Sequence, residues 1–272
     1  MNYSIKDFQG QFPNDEACLE YIFNQKYDKT CKCGGQFYRS KTRKCYNCSM
    51  CGKQISPLAG TIFEKSDTPL TSWFYAIFLF SSARNGVSAK ELERQLGVTY
   101  KTAWRIAFQI RQLMQQDKKK LSGVVEVDET YIGGYRRKGQ GGKGKAILLG
   151  YVKRGGDIKT DKLEARQTHI VLKAVRRNVR RGSHLMTDQF GIYKKTPKMG
   201  YKHSSVNHWK REYVKGAVHT NTLEGFWSQL KRSISGTYHS VSPKHLQRYA
   251  DEFAFRYNHR NDPIFSLLAA RI

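Results

Sequence analysis

The clearest hydrophobic pattern in the chain lies at 124–134, V-V-E-V-D-E-T-Y-I-G-G, where Val124, Val125, Val127 and Ile132 are β-branched and two glycines close the run. Such residues pack well on a pleated surface, so the run predicts a core strand leading into a tight turn. Its polar positions Glu126, Asp128 and Thr130 recur at period two, which also fits a strand with one wet face. If that face is covered, Asp128 needs a cation or donors beside it, because burying an unpaired carboxylate is costly. Residues 146–152, A-I-L-L-G-Y-V, predict a second strand and 167–171 a third. Residues 172–179 then predict a helix with Arg176, Arg177, Arg180 and Arg181 outward, and S-H-L-M-T-D a short apolar strand ending at Asp188. This order is α/β, and ligands in such sheets gather at strand ends, where both Asp128 and Asp188 fall.

Helical periodicity marks five further helices. A helix over 15–24 follows Pro13 and Asn14, and one from Thr71 or Ser72 carries Trp73, Phe74, Ile77, Phe78 and Phe80 on a wide apolar stripe. Ser88, with Glu91 three residues later, caps a helix burying Leu92 and Leu96. Gly97 turns the chain, and Thr99 starts a helix with Ala103, Ile106, Ile110 and Leu113 inside and Tyr100, Lys101 and Arg105 outside. This is the helix-turn-helix pattern, which offers Thr99, Tyr100, Lys101 and Arg105 to DNA; an ordinary helical hairpin shares its periodicity. The last stretch is H-T-N-T-L-E-G-F-W-S-Q-L-K-R, amphipathic through Leu223, Phe226, Trp227 and Leu230. Glu224 stands at its front and Lys231 two turns on along the same face. Asn221 and Glu224 are also spaced almost as a capping box, which would explain that Glu without any metal. Trp227, between Phe226 and Leu230, reads as core.

Charge and cysteines change this picture. Lys and Arg number 48 against 22 Asp and Glu, a formal charge of +26, so an anionic partner is expected and nucleic acid is the usual one. Runs at 136–138, 176–181 and 194–202 add phosphate affinity, with Arg136, Arg137 and Lys138 on a cationic hairpin tip. No apolar stretch reaches the roughly 20 residues of a spanning helix, and the first residues are unlike a signal peptide, so a cytosolic protein with no membrane partner is expected. All six Cys lie in the first 51 residues, at 18, 31, 33, 45, 48 and 51. Cys48-x-x-Cys51-Gly52 is a knuckle that aims two thiolates at one ion. Cys31 and Cys33 before Gly34 supply the other pair, one residue closer than usual, with Cys45 as a substitute ligand and metal-free cytosolic thiols as the alternative. A four-thiolate zinc site leaves no open position and is structural. Cys18, inside the first helix, reads as a buried thiol.

Taken together, V-D-E-T-Y-I-G-G, T-D-Q-F-G-I-Y and H-T-N-T-L-E-G-F-W-S-Q-L-K-R resemble the motifs of bacterial insertion-sequence transposases related to eukaryotic Merlin elements. The likeness extends to the cysteine ribbon, to S-P-L-A-G-T-I-F, to the helix-turn-helix and to Y-A-D-E-F-A-F-R-Y-N-H-R, covering nearly the whole chain. Cys31-x-Cys33 and the extra Cys45 depart from the family. The resemblance implies an α/β, ribonuclease-H-like mixed sheet with flanking helices over 121–272, preceded by a zinc ribbon within 1–65 and a helix-turn-helix within 66–120. It implies a DDE triad of Asp128, Asp188 and Glu224 holding two Mg²⁺ or Mn²⁺ ions, with Asp128 bridging them, Lys231 on a phosphate, and Asn221 as the cap of the Glu224 helix. The implied activity is cleavage at terminal inverted repeats of double-stranded DNA and transfer into target DNA, by a homodimer or larger assembly in the bacterial cytoplasm at the nucleoid. The rival reading is a DNA-binding regulator with a non-catalytic core.

Overall fold

The computed structural model describes residues 3–133, 145–206 and 219–272. They form two compact units, Met1–Leu113 with Asn261–Ile272, and Met114–Arg260. The last twelve residues, grouped by sequence with 121–272, therefore belong to the first unit. Their helix buries Phe265, which stacks on Tyr3 at 4.5 Å and meets Phe8 and Phe12.

In the first unit, helices α1 (Ile5–Gln11) and α2 (Asp15–Lys26) precede a small antiparallel sheet of β1 (Phe37–Arg39), β2 (Tyr46–Cys48) and β3 (Gln54–Ile55). Asn14 caps α2 through the amide of Ala17, as expected at a polar residue before an apolar repeat. The three-stranded sheet and its cysteines fit a zinc ribbon. Helix α3 (Leu70–Ser82) buries Trp73, Phe74, Ile77 and Phe80. The hairpin of α4 (Ala89–Leu96) and α5 (Tyr100–Leu113) follows. Ser88 accepts from the Glu91 amide at 3.1 Å, and Gly97 ends α4 at φ 63°, a left-handed conformation that costs glycine little.

The second unit is a five-stranded mixed sheet in the order β6-β5-β4-β7-β8, built from β4 (Val124–Ile132), β5 (Ala146–Lys153), β6 (Ile158–Leu163), β7 (His184–Asp188) and β8 (Lys202–Val206). Strand β5 runs antiparallel to both β4 and β6, whereas β4, β7 and β8 are parallel. Three antiparallel strands continuing into two parallel ones, with helices on the faces, make the ribonuclease-H-like arrangement.

Two expectations fail here. Residues 167–171 are not a strand, because α6 (Thr168–Asn178) takes them, and the third strand is β6. β6 is polar and lies at a sheet edge, where β-branched hydrophobic runs are not required. Nor does β4 have a wet face. Helix α6 and the residues after β7 cover one side, where Val125 and Val127 pack with Tyr151, Val171, Val175 and Tyr193. Helix α7 (Asn221–Gly236) covers the other through Leu223, Trp227 and Leu230, so Glu126 and Thr130 are buried. Trp227 is core, as its sequence neighbours suggest. Helix α8 (Leu246–Asn258) completes that layer.

Gly150 on β5, paired with Asp128, lets α7 approach. A Cβ there would lie 2.5 Å from Cζ2 of the buried Trp227 and 2.9 Å from Cδ2 of the buried Leu223, so one of them must shift. Gly150→Ala is therefore expected to destabilise the chain by roughly 1–3 kcal/mol, read as a lower urea midpoint; an unchanged midpoint would show that α7 is not pressed against β5 there.

Candidate active site

In the parallel pair, Val124 lies opposite His184 and Glu126 opposite Met186. The ladder ends at that second pair, and continuing its register would set Asp128 opposite Asp188, two residues beyond it. The folded chain thus closes the 60-residue separation that sequence alone leaves open. One carboxylate oxygen each from Asp128, Glu129 and Asp188 lies within 4.8 Å of the others.

Each acid is held differently. Asp128 Oδ2 accepts from the Trp227 indole at 3.1 Å, and Asp188 Oδ1 accepts from the Phe190 amide at 3.1 Å. Glu129 has its Oε1 buried without a hydrogen bond, 3.6 Å from Nε of Arg166, whose guanidinium lies over the Phe190 ring. Burial, then the charges of Glu129 and Asp188, push Asp128 up to about 7. Burial also raises Glu129, against the opposing pull of Arg166. Three crowded carboxylates, each offering one oxygen within 4.8 Å of the others, fit a hard divalent cation, whose preferred ligands are oxygens.

The Asp128 shift has a measurable consequence. The folded chain binds this proton more tightly than the unfolded chain does, so Asp128 contributes stability that is complete below its ordinary value of 3.8 and is lost as pH rises through about 7. Without divalent ions, the melting temperature is expected to fall between about pH 4 and 7, and Asp128→Asn to flatten that slope. An equal slope in the variant would reject the assignment.

Glu224 is exposed in the first turn of α7 and is not among the three clustered acids. It stands three residues before Trp227, one turn from the indole that bonds Asp128. Lys231 is exposed four residues beyond that Trp. Asn221 is not the helix cap: it is the first helical residue, and Thr220 at the cap position makes no side-chain cap bond. The donors of the first turn go instead to Glu126, which sequence reasoning treats as a neighbour of Asp128.

The four sulfurs of Cys31, Cys33, Cys48 and Cys51 also lie within 4.8 Å of one another, with Cys31 to Cys51 at 3.8 Å and Cys33 to Cys48 at 3.4 Å. A tetrahedral zinc with Zn–S near 2.3 Å has edges of about 3.8 Å, so the spacing fits this ion. Backbone donors, first that of Cys51, lower the Cys48 thiol, whereas Cys51 rises against the Lys53 amide because the sulfurs of Cys33 and Cys48 share its proton, so the metal-free cluster favours a single thiolate at Cys48. Cys45 is buried outside this group, and Cys18 is buried in α2.

On α5, Tyr100 and Lys101 are exposed beside Thr99, and Nζ of Lys90 lies 5.0 Å from the Tyr100 ring. Arg105 is half-buried and donates to the Glu64 carbonyl at 3.1 Å, so it is partly engaged within its own unit. Arg136, Arg137 and Lys138 lie outside the described residues.

The ISXO2-like transposase domain model matches residues 120–258, just over half of the chain and nearly all of the second unit. The chain belongs to this transposase family. Its transposase domain carries β4, β7 and α7, and so all of Asp128, Asp188 and Glu224. The chain is also 27% identical over 231 residues to an uncharacterised protein in the transposable element ISH50 of Halobacterium salinarum, covering 78% of this chain and 77% of that protein. Among solved structures it aligns with a chain of the simian T-cell lymphotropic virus intasome in complex with a PP2A regulatory subunit, at 12% identity, 67% of this chain, 65% of that chain and a TM-score of 0.32. It aligns with a chain of a pre-cleavage Mos1 transpososome at 12% identity, 71% and 76% coverage and a TM-score of 0.30. Among the described residues no helix is long and apolar enough to cross a membrane.

Proposed function

We propose that this chain is a DDE transposase that cuts DNA at the ends of an insertion sequence and joins those ends to target DNA. The observation carrying this reading is the meeting of Asp128 and Asp188 just beyond the end of the β4–β7 ladder, inside a transposase-family domain. Asp128 and Asp188, with Glu224 from α7, would hold Mg²⁺ or Mn²⁺, and Glu129 lies close by. Ions bound there would supply electrophilic stabilisation to the attacking and leaving oxygens of an in-line displacement at phosphorus.

The chain's own groups do the rest. The Trp227 indole and the Phe190 amide orient the two Asp carboxylates. Lys231, charged and exposed on the Glu224 helix, binds a phosphate of the DNA end. Thr99, just before α5, and Tyr100 and Lys101 on it meet the duplex, helped by Arg105 and by Arg136, Arg137 and Lys138, and the net charge of +26 supports phosphate binding throughout. The ribbon is held by one zinc ion on Cys31, Cys33, Cys48 and Cys51. The domains in this reading are the ribbon, the helix-turn-helix and the ribonuclease-H-like unit, working as a homodimer or larger on paired ends in the bacterial cytoplasm.

The test supplies a precut terminal-repeat duplex with a free 3′-hydroxyl, a target plasmid and Mg²⁺. Joined product is expected. Cutting without joining would leave a nuclease, and DNA binding with neither would leave a regulator.

A further inference from the structure

Helix α7 has no cap of its own, and the first-turn amides of any helix need partners from outside it. Here they come from a strand 96 residues earlier. Glu126 Oε2 accepts from the amides of Thr222 at 3.1 Å and Leu223 at 3.4 Å, while its Oε1 accepts from the Thr222 hydroxyl at 3.0 Å. Nε of Arg154 and Nδ1 of His219 each lie 3.4 Å from the same Oε1. Arg154 also donates to the His219 carbonyl at 3.4 Å, holding the approach to the helix. Glu126 is fully buried, where an acid is retained only if it is well paired.

The second tie is the bond from Trp227 to Asp128. The strand residues of the two ties are two apart, about 6.7 Å along β4. Their helix residues, Thr222 and Trp227, are five apart, about 7.5 Å along α7. The nearly equal spacing lets both bonds form at once. Packing of Leu223 and Leu230 alone would permit α7 to slide or turn, whereas two directional bonds fix both its height and its rotation. Glu224 stands between them.

We infer that Glu126 is a positioning residue: through the amino end of α7 it sets where Glu224 stands relative to Asp128. This role rests on the transposase reading, in which Glu224 is a metal ligand. It also answers why a strand supplying one catalytic acid carries a second, buried acid two residues earlier.

The test uses the full-length, zinc-replete protein and Glu126→Gln, which keeps the shape, loses the charge and places an amide donor where one oxygen accepted. Hydrogen exchange without divalent ions or DNA reads the cap alone, and faster exchange over 219–230 is expected. Mn²⁺ affinity, followed by electron paramagnetic resonance, and the single-turnover cleavage rate should each fall roughly 10- to 100-fold, with the dissociation constant for the DNA end unchanged. Unchanged exchange would overturn the cap. Faster exchange with wild-type Mn²⁺ affinity and rate would reduce Glu126 to a stabilising residue and overturn the positioning role. If the variant does not fold, Thr222→Val decides: weaker Mn²⁺ binding at unchanged DNA affinity supports the role, and wild-type Mn²⁺ binding overturns it. A wild-type protein that neither binds Mn²⁺ nor cuts would remove the transposase reading and this role with it, whatever the exchange shows.

Discussion

Asp128→Asn is expected to lower strand cleavage and joining by roughly 10⁴-fold, the scale seen when one member of a catalytic group acting as a unit is removed. Affinity for the DNA end should be unchanged. Asn keeps the shape of Asp and can still accept from the Trp227 indole 3.1 Å away, so α7 stays docked. What disappears is one of the three clustered charges, and with it an anionic ligand of the proposed ions. Folding should not suffer, because the carboxylate raised to about 7 is itself a burden on the metal-free protein near neutral pH. The variant is thus expected to be no less stable than the wild type, to bind DNA and not to cut it. Cleavage by Asp128→Asn at the wild-type rate would remove Asp128 from the chemistry. Glu129→Gln and Glu224→Gln, assayed beside it, separate the acid already in the cluster from the one on α7. A deep loss only in Glu129→Gln would exchange their roles.

Asp128 and Asp188 were legible in the sequence because each ends or follows an apolar run, and α7 because its apolar positions repeat at helical spacing. The strand β6 was not. Its buried Lys159 and Thr160 are satisfied by polar partners, Asp117 for the amine and Gln116 for the Thr160 backbone, and such burial leaves no hydrophobic signal. Thr168 to Val171 were misread because β-branched residues favour strands only weakly against a helix that buries Val171 and Val175. Glu126 was beyond reach for a different reason. Its partners are the amides of Thr222 and Leu223, which carry no side-chain identity, and Asn221 offered a nearer but incorrect explanation for the helix start. Glu129 points by period two to the face opposite Asp128, yet joins it near Asp188 because the ladder to β7 has stopped there. Period two locates faces; it does not tell where a sheet opens.

Loss of the ribbon metal is the other change expected to be severe. Strands of three, three and two residues enclose little apolar core beyond Tyr46 stacked on Phe23 at 3.9 Å and Phe37 edge-on to the same ring, so the fold around Cys31 to Ile55 depends on what joins its four sulfurs. A zinc site of this kind contributes on the order of 10 kcal/mol, far more than those few side chains supply. Protein purified without added metal is expected to carry one zinc per chain by elemental analysis. Cys48→Ser, at the most buried of the four ligands, should lose it and become open to proteolysis between β1 and β3. Cys45→Ser should keep the zinc, because Cys45 lies outside the cluster. Retention of zinc by Cys48→Ser together with its loss in Cys45→Ser would mean that the ligand set is Cys31, Cys33, Cys45 and Cys51. The catalytic cluster gives a further check on the separation of the two metals, since Mn²⁺ binding near Asp128 should survive Cys48→Ser while DNA affinity falls. A parallel loss of both would mean that the ribbon is required for the acidic site itself.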